Sequence, residues 1–76
     1  MSSSCYAVSE NEVLVAKEER VQLYRWGETR PHWSQRVKGD IQAVAFTQSA
    51  VYVATNTTLH RFPRRPFEPT QRYELP

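Results

Sequence analysis

Residues 41–62 read IQAVAFTQSAVYVATNTTLHRF, a stretch of short apolar segments separated by polar residues. Its apolar segments are short and rich in Val, Tyr and Phe, which favour strands, while the Thr, Gln, Ser and Asn residues between them favour turns. The run Val51-Tyr52-Val53-Ala54 is continuous and bounded by polar residues, the pattern of a strand that is covered on both faces. The stretch therefore predicts three consecutive β-strands.

The rest of the chain has the same character. No window places apolar residues at positions i, i+3, i+4 and i+7, so the sequence predicts no helix. Strand-like segments alternate with turn-forming ones along the whole chain, which predicts an all-β fold. The expected strands are Cys5–Val8, Val13–Lys17, Val21–Trp26, Trp33–Lys38, Ala43–Thr47, Val51–Thr55, Leu59–Phe62 and Thr70–Leu75.

The chain contains an internal repeat, and missing a repeat mis-assigns the fold. Identical residues stand 38 positions apart at Ala7 and Ala45, Val13 and Val51, Val15 and Val53, and Ala16 and Ala54. A two-residue shortening of the next turn changes the offset to 36, which aligns Leu23 with Leu59, Arg25 with Arg61, Trp26 with Phe62, Gln35 with Gln71 and Arg36 with Arg72. The sequence therefore predicts one domain, residues 1–76, made of two four-stranded copies at about 4–39 and 42–76.

The repeat also predicts which residues form the core. Val13 and Val15 in the first copy, with Val51 and Val53 in the second, are expected to be buried at equivalent places of two superposable sheets. Cys5 is expected to be a small apolar residue of the interior rather than a reactive thiol. As the only cysteine, it forms no disulfide within the chain.

Residues 41–47, 50–55 and 58–62 resemble a β-propeller blade of the WD40 type, and residues 5–26 resemble it less closely. In that family each blade is a four-stranded antiparallel sheet of about 40 residues. The Gly-His and Trp-Asp dipeptides of the family are absent here, with Arg25-Trp26 and Arg61-Phe62 at the corresponding strand end. Small lectins with two blades per chain are similar in architecture.

Two blades do not close a propeller, because closure takes about four to eight. The resemblance therefore implies a homo-oligomer, a trimer before a tetramer, or a chain that completes the propeller of a partner protein. A closed sandwich of the two sheets is the third alternative. A 76-residue chain buries only about 60% of the surface that it exposes when unfolded, so packing or oligomerisation must stabilise it.

The loop between Trp26 and Trp33 is the first candidate binding site. It carries Glu28, Arg30 and His32, which would place hydrogen-bonding groups beside two indole rings. Such a set suits a carbohydrate, which stacks its apolar face on an aromatic ring, or a peptide. The alternative is that both tryptophans pack between neighbouring sheets.

Arg61, Arg64 and Arg65 form the second candidate site, because arginines interleaved with aromatic residues bind phosphates and stack on bases. A solvated loop or a protein contact is the alternative reading. His32 and His60 have no Cys, Asp or His at metal-ligand spacing, so no metal or other cofactor is expected.

The predicted function is a non-catalytic protein-binding or scaffold module. No nucleophile elbow, phosphate-binding glycine loop or recognisable acid–base pair is present, so the chain is not expected to be an enzyme. A multivalent lectin is the alternative, and a nucleic-acid-binding adaptor ranks third. The N-terminal segment MSSSCYAVSE lacks the regions of a secretory signal, and no run reaches membrane-span length, so a cytoplasmic protein without a membrane partner is expected.

Overall fold

The computed structural model describes residues 4–65 and 68–76, which form two four-stranded antiparallel sheets. The first sheet, here called sheet I, has the strand order β1-β2-β3-β4, and sheet II has the order β5-β6-β7-β8. The all-β prediction is confirmed, and every strand end lies within about two residues of its predicted place. The strands are β1 (Ser4–Val8), β2 (Glu12–Lys17), β3 (Arg20–Arg25), β4 (Trp33–Arg36), β5 (Ile41–Phe46), β6 (Ala50–Thr55), β7 (Thr58–Pro63) and β8 (Gln71–Glu74).

The described part of the chain contains no helix of the length and apolarity needed to cross a membrane.

The two sheets are built in the same way, with one constant offset. The pair Val13 and Tyr24 in sheet I corresponds to the pair Val51 and Phe62 in sheet II, each 38 residues further along the chain. Four hydrogen bonds between turn or loop residues recur at the same spacing. In sheet I these bonds run from Ser9 N to Glu12 O, from Trp26 N to Asn11 O, from Val37 N to Glu19 O and from Glu12 N to Ser9 Oγ. Their equivalents in sheet II run from Thr47 N to Ala50 O, from Arg64 N to Ser49 O, from Leu75 N to Thr57 O and from Ala50 N to Thr47 Oγ1.

The expected change of offset from 38 to 36 is therefore wrong. Both turns between the second and third strands have two residues, Glu18-Glu19 and Asn56-Thr57, so no shortening occurs. The residue equivalent to Leu23 is Arg61 rather than Leu59, since they pair with Leu14 and Tyr52 respectively. A shift of two residues keeps every side chain on the same face of its strand, so alternation in the sequence does not distinguish the two alignments.

A single core lies between the sheets. Here the side of each sheet that meets the other sheet is called its inward face, and the opposite side its outward face. Sheet I contributes the fully buried residues Leu14, Val21 and Leu23, and sheet II contributes Val51 and Val53. The remaining members of the cluster are Ala16, Val37, Ile41 and Phe62, with Cys5, Ala7, Trp33, Val44 and Phe46 packed against it.

The prediction of equivalent buried valines is half right. Val51 and Val53 are fully buried, but Val13 and Val15 are only half-buried and lie on the outward face of sheet I. Their places in the core are taken by Leu14 and Ala16, because the two sheets use opposite faces of the repeated unit. Two copies stacked in the same direction must do this, since the front of one copy then meets the back of the other.

The sheets approach each other most closely at their first strands. Among the described residues, Cα atoms of different sheets come within 8 Å only between β1 or β2 and β5. This is closer than the spacing of about 10 Å typical of packed sheets. The two layers therefore converge at the β1 and β5 edge and contact each other elsewhere through longer side chains, such as Trp33 and Phe62 with ring centroids 5.9 Å apart.

Candidate binding surfaces

The outward face of sheet I is apolar on β1 and β2. Strand alternation and pairing place Tyr6, Val8, Val13 and Val15 on this side, followed on β3 by Gln22 and by Tyr24, whose hydroxyl donates to Gln22 Oε1 at 3.3 Å. Tyr6 and Val8 are 65% and 64% exposed, and the other four are half-buried. Basic residues lie at the end of the face near the β2–β3 turn, namely Lys17, Arg20 and Arg36.

The outward face of sheet II has smaller residues near β5 and larger ones further out. Ala43 and Ala45 are exposed on β5, while Tyr52 and Leu59 are half-buried on β6 and β7. Tyr73 on β8 is 54% exposed. Ala54 completes this face, together with Arg61, whose guanidinium carbon lies 6.0 Å from the centre of the Tyr52 ring.

A second feature is an ion-pair cluster that joins the sheets at one end of the core. Arg64 donates from Nη2 to Glu12 Oε2 at 2.6 Å and from Nη1 to Glu12 Oε1 at 3.1 Å. Its Nη1 also donates to the Thr47 carbonyl oxygen at 2.8 Å. His32 Nε2 lies 2.8 Å from Glu12 Oε2, so one carboxylate meets two basic side chains.

The Glu12 carboxylate is mostly buried and has a lowered pKa. Its side chain is only 15% exposed and that of Arg64 is 19% exposed. Burial raises the pKa of Glu12, but the hydrogen bonds and charge of Arg64, followed by those of His32, outweigh this and hold the pKa below its ordinary value of 4.5. The Glu12 carboxylate is therefore ionised and paired with Arg64 at neutral pH, which is the arrangement expected of a structural link between two layers.

The two tryptophans of the first candidate site lie in different environments. Trp33 begins β4 and packs its ring against Phe62 and the core. Trp26 is 56% exposed, and its indole N–H donates to the Ser9 carbonyl oxygen at 3.0 Å. Between them, Arg30 is exposed, while His32 is held by Glu12 and by a hydrogen bond from its backbone N–H to the Leu23 carbonyl.

The three arginines of the second candidate site are not assembled into one cluster. Arg61 lies on the outward face of sheet II beside Tyr52, and Arg64 is engaged by Glu12. Arg65 is exposed, and its carbonyl oxygen accepts the Glu68 N–H at 3.3 Å.

The repeat does not duplicate either aromatic position. Because the offset is constant, the residue equivalent to Trp26 is Arg64, not Phe62, and the residue equivalent to Trp33 is Gln71. A ligand site that occurs once in each copy would need matched aromatic residues at these places.

His60 lies on the inward face of sheet II, where its ring stacks on Phe62 with centroids 5.6 Å apart. Burial lowers the pKa of His60, and the charge of Arg72 lowers it further. Within residues 4–65 and 68–76, no group of three or more His, Cys, Asp or Glu side chains is arranged to hold a metal ion. The Cys5 thiol is half-buried and lies 3.5 Å from the Gln42 carbonyl oxygen, a neighbour on β5.

Comparison with protein-family models, with curated proteins and with solved structures found no match to this chain. The geometry of the molecule is therefore what supports a function. Of the binding residues predicted from the sequence, only Arg61 lies within an outward face, although the alternation in β1 and β6 indicates which other residues these faces carry. Sequence reasoning missed Glu12, for which no signal existed, because its partners are 20 and 52 residues away.

Proposed function

We propose that this protein is a non-catalytic protein-binding module, whose outward sheet faces pack against other polypeptide chains as the blades of a propeller pack against one another. The observation that carries the proposal is the set of large apolar side chains exposed on these faces. On sheet I, Tyr6 and Val8 are more than half exposed and adjoin the half-buried Val15 and Val13. On sheet II, Tyr73 is more than half exposed and adjoins the half-buried Leu59. Adjoining apolar side chains on an exposed face are typical of protein-interaction surfaces.

The other two functions have less support. A lectin with one site per copy needs matched aromatic residues, and Trp26 has Arg64 as its equivalent. Nucleic-acid binding through three adjacent arginines needs them free, whereas Arg64 is bound to Glu12. Both functions become outcomes of the test.

Site-specific photo-crosslinking tests the proposal. A benzophenone amino acid is placed at Tyr6 or Tyr73, one on each outward face, and at Gln48 in the exposed β5–β6 turn as the matched control. Irradiation in the cells that produce the protein is expected to give protein adducts from Tyr6 and Tyr73 but not from Gln48. Absence of protein adducts at both faces, or specific binding on a glycan array or to single-stranded nucleic acid that depends on Trp26 or Arg65, would refute it.

A further inference from the structure

We infer that the partner on each face is a second copy of this chain, with the outward face of sheet II in one copy packed on the outward face of sheet I in the next. The packing would follow the geometry by which the two sheets of one chain already pack. This inference rests on the proposed function and names its partner.

The stacking direction makes the two outward faces complementary. Sheet I buries Leu14 and Ala16 against sheet II, and sheet II buries Val51 and Val53 against sheet I. At the constant offset, the equivalents of Leu14 and Ala16 are Tyr52 and Ala54, and those of Val51 and Val53 are Val13 and Val15. Each outward face is thus the repeat-equivalent of the inward face of the other sheet. A two-fold sandwich would instead bury equivalent positions in both copies.

Side-chain sizes on the outward faces match in the same way. Within the chain, the small Cys5 and Ala7 of β1 lie against β5, which carries Val44 and Phe46 on its inward face, and this allows the close approach of the two strands. On the outward faces, the equivalents of Cys5 and Ala7 are the exposed Ala43 and Ala45. The equivalents of Val44 and Phe46 are Tyr6 and Val8, which are large and exposed.

The two residues of the ion pair between the sheets have uncharged equivalents on the outward faces. Arg64 reaches Glu12 within the chain, and the equivalents of these two residues are Trp26 and Ala50. An acid–base pair is thus replaced by the exposed Trp26 and by Ala50, which pairs across the strands with Pro63 and is already fully buried within the chain, so that no charge remains on either face at this position. The Trp26 N–H is already bonded to the Ser9 carbonyl, so its ring can be covered without leaving a polar group unpaired. This accounts for an exposed tryptophan at the margin of the face.

Both complementary faces are present on every chain, so the contact repeats from copy to copy. A head-to-tail contact of this kind closes into a ring when the rotation per copy allows it. The sheets converge at β1 and β5, so a ring with those strands innermost is favoured. Three chains, which would supply six blades, are expected before four by the resemblance to a propeller.

Analytical ultracentrifugation of the 76-residue chain tests the inference. Wild type at about 100 µM is expected to sediment as one closed oligomer, because mass action favours the assembled state. Val15→Arg and Ala54→Arg, one on each outward face, are each expected to weaken self-association about 100-fold or more and to give folded monomers, because each buries an unpaired charge. Gln48→Arg, in an exposed turn, is expected to leave the oligomer intact.

Mixing the two variants gives the decisive result. Each retains one intact face, and the intact faces are complementary, so an equimolar mixture is expected to form a one-to-one pair and nothing larger. If Val15→Arg or Ala54→Arg forms a dimer alone, or the mixture stays monomeric, the head-to-tail contact is wrong. If circular dichroism shows that a variant has not folded, Tyr6→Arg or Ala45→Arg on the same face replaces it, since both residues are exposed.

The two proposals fail in different ways. A monomeric wild-type chain that photo-crosslinks to a different protein through Tyr6 and Tyr73 overturns the second copy as partner and leaves the protein-binding function standing. A monomeric chain without protein adducts overturns both.

Discussion

Replacing Arg64 with methionine is expected to lower the free energy of unfolding by about 2–3 kcal/mol. Arg64 makes three hydrogen bonds, two of them to Glu12 in the other sheet, and both side chains are less than one-fifth exposed. Breaking a buried pair costs about 3–5 kcal/mol, because the remaining charge has no partner. The expected loss is smaller here because His32 stays 2.8 Å from the Glu12 carboxylate.

Urea unfolding at pH 7 and a fixed protein concentration measures this loss against a total of roughly 4–11 kcal/mol for a domain of this size. Arg72→Met is the matched control, because Arg72 pairs with Glu74 at 3.7 Å while both side chains are mostly exposed. It should change stability by no more than about 0.5 kcal/mol. In a double-mutant cycle, Glu12→Gln and Arg64→Met should couple by at least about 1 kcal/mol. Additive effects, or a loss no larger than that of Arg72→Met, would refute the assigned link between the sheets.

Three further outcomes follow from burial and charge. Val53→Asp is expected to abolish the cooperative melting transition, because Val53 is fully buried. The equivalent substitution Val15→Asp should retain the transition, because Val15 is only half-buried. A native-like melting transition of Val53→Asp would contradict the core assignment. Trp33→Ala is expected to cost about 2–3 kcal/mol in urea unfolding, less than the roughly 3–5 kcal/mol of a fully buried aromatic residue because Trp33 is half-buried. Trp26→Ala is expected to cost less than about 1 kcal/mol, and the order would be reversed if Trp26 were the core residue. The pKa of His60 is lowered on folding, so as the pH drops the unfolded chain binds a proton at His60 before the folded chain does. The free energy of unfolding should therefore fall as the pH drops below 6.5, and His60→Gln should remove this dependence. A pH profile unchanged by His60→Gln would contradict the lowered pKa.

Stability should fall again at more acidic pH. The pKa of Glu12 is lowered on folding, so its contribution is complete above 4.5 and is lost as the pH falls through the lower, folded value. Unfolding by urea at several pH values below 5 would show this as a loss that is absent in Glu12→Gln. A wild-type profile identical to that of Glu12→Gln would contradict the charge state assigned to the cluster.

The strands could be predicted from local information. Apolar runs such as residues 51–54 and the turn residues around them report on each segment by itself, and the alternation within a strand reports on its two faces. The match of Val13 and Val15 to Val51 and Val53 also agrees with the strand pairing, in which these residues occupy equivalent places of the two sheets. The offset in β3 and β7 could not be predicted in this way, because Leu23 fits Leu59 and Arg61 equally well by face, and only the pairing with Leu14 and Tyr52 distinguishes them.

The roles of two candidate site residues could not be predicted from the sequence. Trp33 and Arg64 are candidate binding residues by sequence, but each contacts a residue of the other sheet that is far away along the chain, Phe62 and Glu12 respectively. An all-β chain of two similar four-stranded units could be predicted from the sequence, because strand patterning and repetition are local properties. Which face of each unit is buried is visible only in the folded chain. Both faces of β2 and β6 carry apolar residues, so burial depends on the direction in which one sheet stacks on the other, and no local pattern records that direction.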